Sequence, residues 1–164
     1  LIHGNRDFLL GSKFEEMTGI QIIDDMTIIE DEFCKIMVSH GDVFCTDDIE
    51  YQNLKKTLRS EQWIKAFLSK TIEERIDFAN QLRSQSAESS SNKAESIMDV
   101  NIAHVNEIID KNKIDILIHG HTHRPAIHKL DSGASRAVLG SWENNEGWII
   151  KYKQGNIELK SFPL

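Results

Sequence analysis

The 164 residues are 40% hydrophobic and carry a formal charge of −7, from 19 Lys and Arg against 26 Asp and Glu. This length predicts one hydrophobic core and a single domain, and the acidic balance disfavours nucleic acid as a partner. No apolar run exceeds three residues, which excludes a membrane span and a signal-peptide core within these residues.

The first forty residues alternate between helix and strand patterns. Residues 12–19 predict a short helix with Gly19 as its C-terminal cap. Strands are predicted at 20–23, 27–29 and 33–38. The third strand is apolar enough to be buried and leads into His40, on a loop of the kind that often carries function.

From residue 48 the apolar residues recur at helical spacing, and we predict a helical insertion over 48–93. Thr71 and Glu74 have the spacing of a capping box, which predicts the start of one of its helices. The Ser-rich stretch 84–93 is polar and of low complexity. It predicts a loop, either a flexible linker or a lid.

A helix, a strand and a histidine-bearing loop are predicted next. Apolar residues from Met98 to Ile109 form a helical stripe, and 114–118 predicts a buried strand leading into Gly120. Four later apolar clusters predict consecutive strands around Ile127, 137–139, 148–150 and 157–159. This order of elements predicts an α/β fold.

Three short motifs carry metal-binding chemistry: Gly4-Asn5-Arg6-Asp7, Ser39-His40-Gly41-Asp42 and Gly120-His121-Thr122-His123-Arg124-Pro125. The Asn5 amide oxygen and the imidazoles of His40, His121 and His123 are donors that divalent first-row metals accept. Each residue taken alone could instead be structural, as a hydrogen-bonded turn residue. Arg6 suits a phosphoryl group, with a surface ion pair to Asp7 as the alternative.

The motifs resemble those of the calcineurin-like metallophosphoesterase superfamily. Arg6 stands where most of that superfamily has His, and this narrows the resemblance to the UDP-2,3-diacylglucosamine hydrolase family of lipid A synthesis. The other matching blocks are His40-Gly41-Asp42, Cys45-Thr46-Asp47-Asp48, Tyr51-Gln52, Ile97-Met98-Asp99-Val100-Asn101 and His119-Gly120-His121-Thr122-His123-Arg124-Pro125. The resemblance covers the whole chain.

The resemblance implies the C-terminal portion of a metallophosphoesterase β-sandwich flanked by helices. Residues 1–164 would form one incomplete domain, with 48–93 as a helical cap. It further implies Mn²⁺-dependent hydrolysis of UDP-2,3-diacylglucosamine to UMP and 2,3-diacylglucosamine 1-phosphate, with two ions in the family. Because the family's Asp-x-His and bridging Asp would precede Leu1, we expect this chain alone to be weakly active or inactive, and prone to aggregation.

The resemblance also implies roles for single residues. Asn5, His40 and His121 would ligate one ion, and His123 the other. Arg6 would act on the phosphoryl group as the catalytic residue. Substrate contacts would come from Asn5, Arg6, Asp48, Tyr51, Arg75, Arg83, Ser86, Ser90, Lys93 and His121. Ser90 stands where Asn is expected. The apolar side chains of the cap would either enclose acyl chains or only hold its helices together.

Two other functions stay open on the sequence: hydrolysis of another nucleotide or phosphate ester, and a non-catalytic scaffold that binds protein. Cys34 and Cys45 lack the spacing of a disulfide framework, which favours reduced thiols in a cytosolic protein. The lipid-linked substrate implied by the resemblance would bring the protein into peripheral contact with the cytoplasmic face of the inner membrane.

Overall fold

The structure is a computed structural model that describes the backbone of residues 1–92, 94 and 97–164, and the side chains of 1–86, 94 and 97–164. In this part of the chain the helices are α1 (Ser12–Thr18), α2 (Ile49–Leu58), α3 (Glu61–Leu68), α4 (Ile72–Asn92) and α5 (Ile102–Asn112). The strands are β1 (Thr27–Glu30), β2 (Lys35–Ser39), β3 (Ile116–His119), β4 (Ala126–Lys129), β5 (Ser135–Val138), β6 (Glu146–Lys153) and β7 (Asn156–Pro163).

Five strands form one mixed sheet in the order β1-β2-β3-β5-β4. The central strands β2, β3 and β5 run parallel, and β1 and β4 pair antiparallel at the two edges. Strands β6 and β7 form a separate antiparallel hairpin. These sheets and the helices beside them confirm the α/β fold class.

The core lies between the parallel strands and α5. Val105 and Ile109 of the helix are buried together with Met37 of β2, Leu117 of β3 and Phe44. Strands of a parallel sheet are covered on both faces, which is why β2 and β3 are almost continuously apolar. Their burial fixes the loops that follow their carboxyl ends.

The three helices α2, α3 and α4, which lie within the predicted cap, begin with side-chain caps. Asp48 accepts from Tyr51 N before α2, and Ser60 accepts from Trp63 N before α3. Before α4, Thr71 N donates to Glu74 Oε2 at 2.8 Å and Thr71 Oγ1 accepts from Glu74 N. This reciprocal pair is the predicted capping box, which is confirmed. None of the described helices is long and apolar enough to cross a membrane.

Some predicted boundaries are wrong. Residues 20–23 form no strand, since only Ile23 pairs, in a single bridge to Ile2. Strand β2 begins at Lys35, because the backbone amides of residues 33 and 34 are taken up by the Asp31 carboxylate in a turn. Met98 precedes α5 and is not on its stripe.

The predicted loop over 84–93 is also wrong as far as residue 92. Helix α4 continues through this stretch to Asn92. The stretch contains no Gly or Pro to end a helix, and its Gln, Glu, Ala and Ser residues are tolerated in one. Lys93 lies outside the described residues.

Candidate metal and substrate site

The candidate site is built at the carboxyl ends of two neighbouring parallel strands. Ser39 of β2 pairs with His119 of β3, so the residues that follow them emerge side by side. Gly120 N donates to His40 O at 3.0 Å, which ties the two loops together. The crevice beyond the carboxyl ends of parallel strands is a common place for ligand sites.

Gly41 allows these loops to meet. Its φ is +112°, a conformation that residues with a Cβ rarely adopt. A Cβ here would lie 2.7 Å from His119 Nδ1 and 2.9 Å from Gly120 O. A larger residue at this position would therefore push the two histidine loops apart.

Three of the predicted metal ligands come together. His40 Nε2 donates to Asn5 Oδ1 at 2.8 Å, and the ring centroids of His40 and His121 are 5.0 Å apart. The Asp25 carboxylate accepts from His40 N at 2.9 Å and from Ser39 Oγ at 2.7 Å, which holds the His40 backbone. The cluster therefore has one amide oxygen and two imidazoles.

Both clustered imidazoles are neutral at pH 7. Burial, with a smaller contribution from the neighbouring His40 ring, lowers the pKa of His121 to about 4. Burial also lowers the pKa of His40, despite the nearby Asp42 and Asp25 carboxylates. A neutral imidazole has a lone pair to offer a metal ion.

These residues fit part of a metal site. Donors that share one ion at ordinary bond lengths stand roughly 3 Å apart. Asn5 Oδ1 and His40 Nε2 are 2.8 Å apart, but Nε2 carries the proton of this hydrogen bond and would have to lose it to bind an ion. The described residues form no group of three or more His, Cys, Asp or Glu that could hold an ion. Asn5, His40 and His121 would therefore need additional ligands, preferably carboxylates.

A buried carboxylate lies beneath the cluster. Asp42 is fully buried, and its Oδ1 accepts from Lys55 Nζ at 2.8 Å. Its Oδ2 lies 2.7 Å from Tyr51 Oη, whose single proton is shared between Asp42 and Asn5 Oδ1 at 2.8 Å. Burial alone would raise the pKa of Asp42, but the hydrogen bonds from Lys55 and Tyr51 outweigh it and the pKa is lowered. The hydrogen bonds from Tyr51 and Lys55 of α2 thus compensate the buried negative charge of Asp42.

A cavity of about 300 Å³ extends from this cluster into the cap. We call it the first cavity. Its polar wall contains five of the residues predicted to bind substrate, Asn5, Arg6, Tyr51, Arg83 and Ser86. Its apolar wall includes Phe8, Trp63, Phe67, Phe78 and Leu82. The Trp63 and Phe67 rings stack at 4.7 Å, and Phe78 lies within 6 Å of both centroids. The cavity therefore joins cationic and aromatic surfaces.

Comparison with known proteins decides the family. The chain is 40% identical over 167 residues to a UDP-2,3-diacylglucosamine hydrolase of Marinobacter nauticus, an alignment that covers 100% of this chain and 68% of that protein. It is 41% identical over 165 residues to a protein of the same name from Pectobacterium carotovorum, covering 99% and 68%. The chain belongs to the UDP-2,3-diacylglucosamine hydrolase family.

This membership in a family of hydrolases confirms the family predicted from the motifs. A search of protein-family models found no match. Among solved structures, the fold is similar to that of an archaeal phosphodiesterase, with 14% identity, a TM-score of 0.46, and coverage of 99% of this chain and 67% of that one.

The other predicted residues of this family member lie outside the first cavity or outside the described side chains. Asp48 caps α2, and Arg75 Nε donates to Lys70 O at 3.1 Å in the first turn of α4. His123 is exposed, with a positive φ of 53°. The Ser90 side chain and all of Lys93 lie outside the described part of the structure. Their contacts stay predictions.

Sequence reasoning missed the cations that hold Asp42. Lys55 and Arg59 follow Tyr51 at intervals of four, so Tyr51 and Lys55 share one face of α2 and Arg59, its C-cap residue, continues that face. Arg59 Nη2 lies 3.9 Å from Asp42 Oδ2 and donates to Gly4 O at 3.0 Å. That spacing was visible in the sequence. The face of α2 that meets the metal motifs was not.

Proposed function

We propose that the chain hydrolyses the pyrophosphate of UDP-2,3-diacylglucosamine in lipid A synthesis, releasing UMP and 2,3-diacylglucosamine 1-phosphate, with Mn²⁺ as its metal. The observation that carries this proposal is the first cavity, which joins the Asn5-Arg6 loop to the aromatic wall of the cap. A substrate with charged phosphates and two acyl chains needs both surfaces in one site. The names of the relatives support the same substrate.

In this proposal each wall of the cavity has its own task. Arg6 and Arg83 would bind the non-bridging phosphoryl oxygens and stabilise the charge that develops there. The aromatic wall would bury acyl chains, at ~0.8 kcal/mol per CH₂ removed from water. Asn5, His40 and His121 would hold one ion and His123 a second. The ions would polarise the phosphoryl group and lower the pKa of the attacking water.

We further propose that these 164 residues alone turn over substrate weakly. The support is the small ligand set, because the described residues gather no three His, Cys, Asp or Glu side chains into a metal-binding group. Weak metal affinity would limit both orientation and activation of the water.

Contact with a membrane belongs to the same proposal. Leu68 of α3 and Ile72 and Ile76 of α4 are 48%, 65% and 54% exposed on the cap. We propose that they bring the cap to the cytoplasmic face of the inner membrane, where the lipid substrate would enter. Sedimentation with phosphatidylglycerol vesicles tests this, and Ile72→Ser with Ile76→Ser should reduce the bound fraction.

Metal-dependent UMP release tests the main proposal, with the Marinobacter nauticus relative as the reference enzyme. We expect weak Mn²⁺-dependent release by the chain, lost in His121→Ala and unchanged in the exposed control Lys151→Gln. Trp63→Ala should raise KM more than it lowers kcat, because it removes part of the acyl wall.

Other outcomes select the alternatives. Hydrolysis of a different phosphate ester without UMP release would replace the substrate while keeping the chemistry. Metal binding by a folded chain that hydrolyses none of these esters would favour the scaffold.

A further inference from the structure

A second cavity of about 280 Å³ lies between the loop after His121 and the edge of the sheet at β4 and β5. Thr122 and Arg124 line it from the loop, Arg136 and His128 from the paired strands, and Asp99 from the segment before α5. It shares no lining residue with the first cavity.

Arg136 is a buried cation in this second cavity, with 6% of its surface exposed. Its Nη1 donates to His119 Nε2 at 3.1 Å, and His119 Nδ1 donates in turn to Gly120 O at 3.0 Å. His119 is therefore a neutral acceptor and supplies no counter-charge. The single acidic residue among those that line the cavity, Asp99, forms an ion pair with Arg124.

Two residues that line this cavity each have a buried polar atom without a hydrogen-bond partner, Arg136 at Nε and Thr122 at Oγ1. The described side chains contain only three such atoms, and the third is Asn106 Oδ1. Buried polar groups nearly always have a partner, so two orphans in one cavity indicate a missing acceptor. With two guanidinium groups and one carboxylate, the lining has an excess positive charge.

We propose that the second cavity binds a phosphate-type oxyanion, with the Arg136 guanidinium as its main donor and the Thr122 hydroxyl as its second. An oxyanion accepts from both groups at once and adds a negative charge beside Arg136, where Asp99 is shared with Arg124. Inorganic phosphate and the phosphate of a nucleotide share this chemistry. Only the choice of a nucleotide as the ligand rests on the proposed function.

The test measures binding of inorganic phosphate and, separately, of UMP to the whole chain in the presence of a metal chelator. Heteronuclear NMR of the Arg136 Nε–H group reports the site directly, because this group gains an acceptor. We expect its resonance to shift saturably with millimolar phosphate, at ionic strength held constant with chloride. Arg136→Gln should weaken binding by at least about tenfold, as expected for the loss of a charge-assisted hydrogen bond.

Thr122→Val keeps the shape of the side chain and removes only the hydroxyl, so it tests the site even if Arg136→Gln does not fold. It should weaken binding about threefold or more. Lys151→Gln, on the exposed face of the hairpin, and Arg6→Gln, in the first cavity, should leave the Arg136 response intact. Tighter binding of UMP than of inorganic phosphate would identify a nucleotide as the source of the bound phosphate group.

An Arg136 resonance that neither ligand moves would overturn the proposal, as would a response that disappears with Arg6→Gln. Phosphate binding does not depend on turnover, so failure of the two proposals can be told apart. If the chain binds phosphate at Arg136 but releases no UMP, the proposal for the second cavity stands and the proposed substrate is wrong.

Discussion

Asp42→Asn should destabilise the fold by about 3 kcal/mol. The Asp42 side chain is fully buried, and its partner Lys55, at 2.8 Å, is 17% exposed. Removing one partner of a buried ion pair costs about 3–5 kcal/mol, because the other charge is left desolvated. We place this change at the lower end, since Asn still accepts from Tyr51 and Lys55 retains some access to water. For a domain of this size the melting temperature should fall by about 6–12 °C.

Thermal and urea unfolding followed by circular dichroism measures this cost. The matched control is Glu158→Gln, which removes the carboxylate of an exposed pair with Lys160 at the same 2.8 Å. An exposed pair contributes at most about 1 kcal/mol, so the control should melt close to the parent. Equal losses in the two variants would refute the reasoning, because burial would then not decide the cost.

Three further predictions concern single side chains. Tyr152→Phe removes the hydroxyl that lowers the pKa of Asp31, so the pKa of Asp31 should rise in an NMR titration. In the parent, the stability that this hydrogen bond contributes is present at neutral pH. It is lost as pH falls from the unfolded pKa of about 3.9 through the lower folded pKa. Burial raises the pKa of Cys45 to about 12, so a thiol reagent should label Cys34 in the native protein and Cys45 only after unfolding; equal rates would contradict this. Phe67→Ala should cost about 3–4 kcal/mol in the same unfolding assay, because the ring is 9% exposed in the aromatic wall.

Elements with local signals were predictable from the sequence. Gly19 ends α1 in the left-handed conformation, and the Thr71–Glu74 box begins α4, as their spacing indicated. The strand predicted at residues 20–23 was wrong because a strand needs a partner, and periodicity alone does not identify one. Instead, Ile22 N donates to the Glu15 side chain. The loop predicted over residues 84–92 was wrong because a polar composition was taken to indicate a loop, although no residue in this stretch prevents a helix.

The site divides in the same way. That His40 and His121 would meet follows from the loops after two buried strands, because parallel neighbours end at one edge of the sheet. The Asp42 network did not follow, since it depends on which face α2 presents to the sheet. The unpaired atoms of Arg136 and Thr122 could not be predicted from the sequence either, because burial without a partner is a property of tertiary structure.

Side chains of α2 and of its C-cap residue hold the loop around Asn5 in place. Arg59, the C-cap residue of α2, donates to Gly4 O at 3.0 Å and lies 5.7 Å from the Phe8 ring centroid, so one side chain holds both ends of the Asn5 loop. Tyr51 of the same helix reaches Asn5 Oδ1 from the other side. Because α2 provides both contacts, it cannot swing away as a lid without releasing the proposed metal ligand. The helices α3 and α4, whose aromatic residues form the far wall of the first cavity, make neither of these contacts with the Asn5 loop, so we expect a movement of those helices to leave the loop in place.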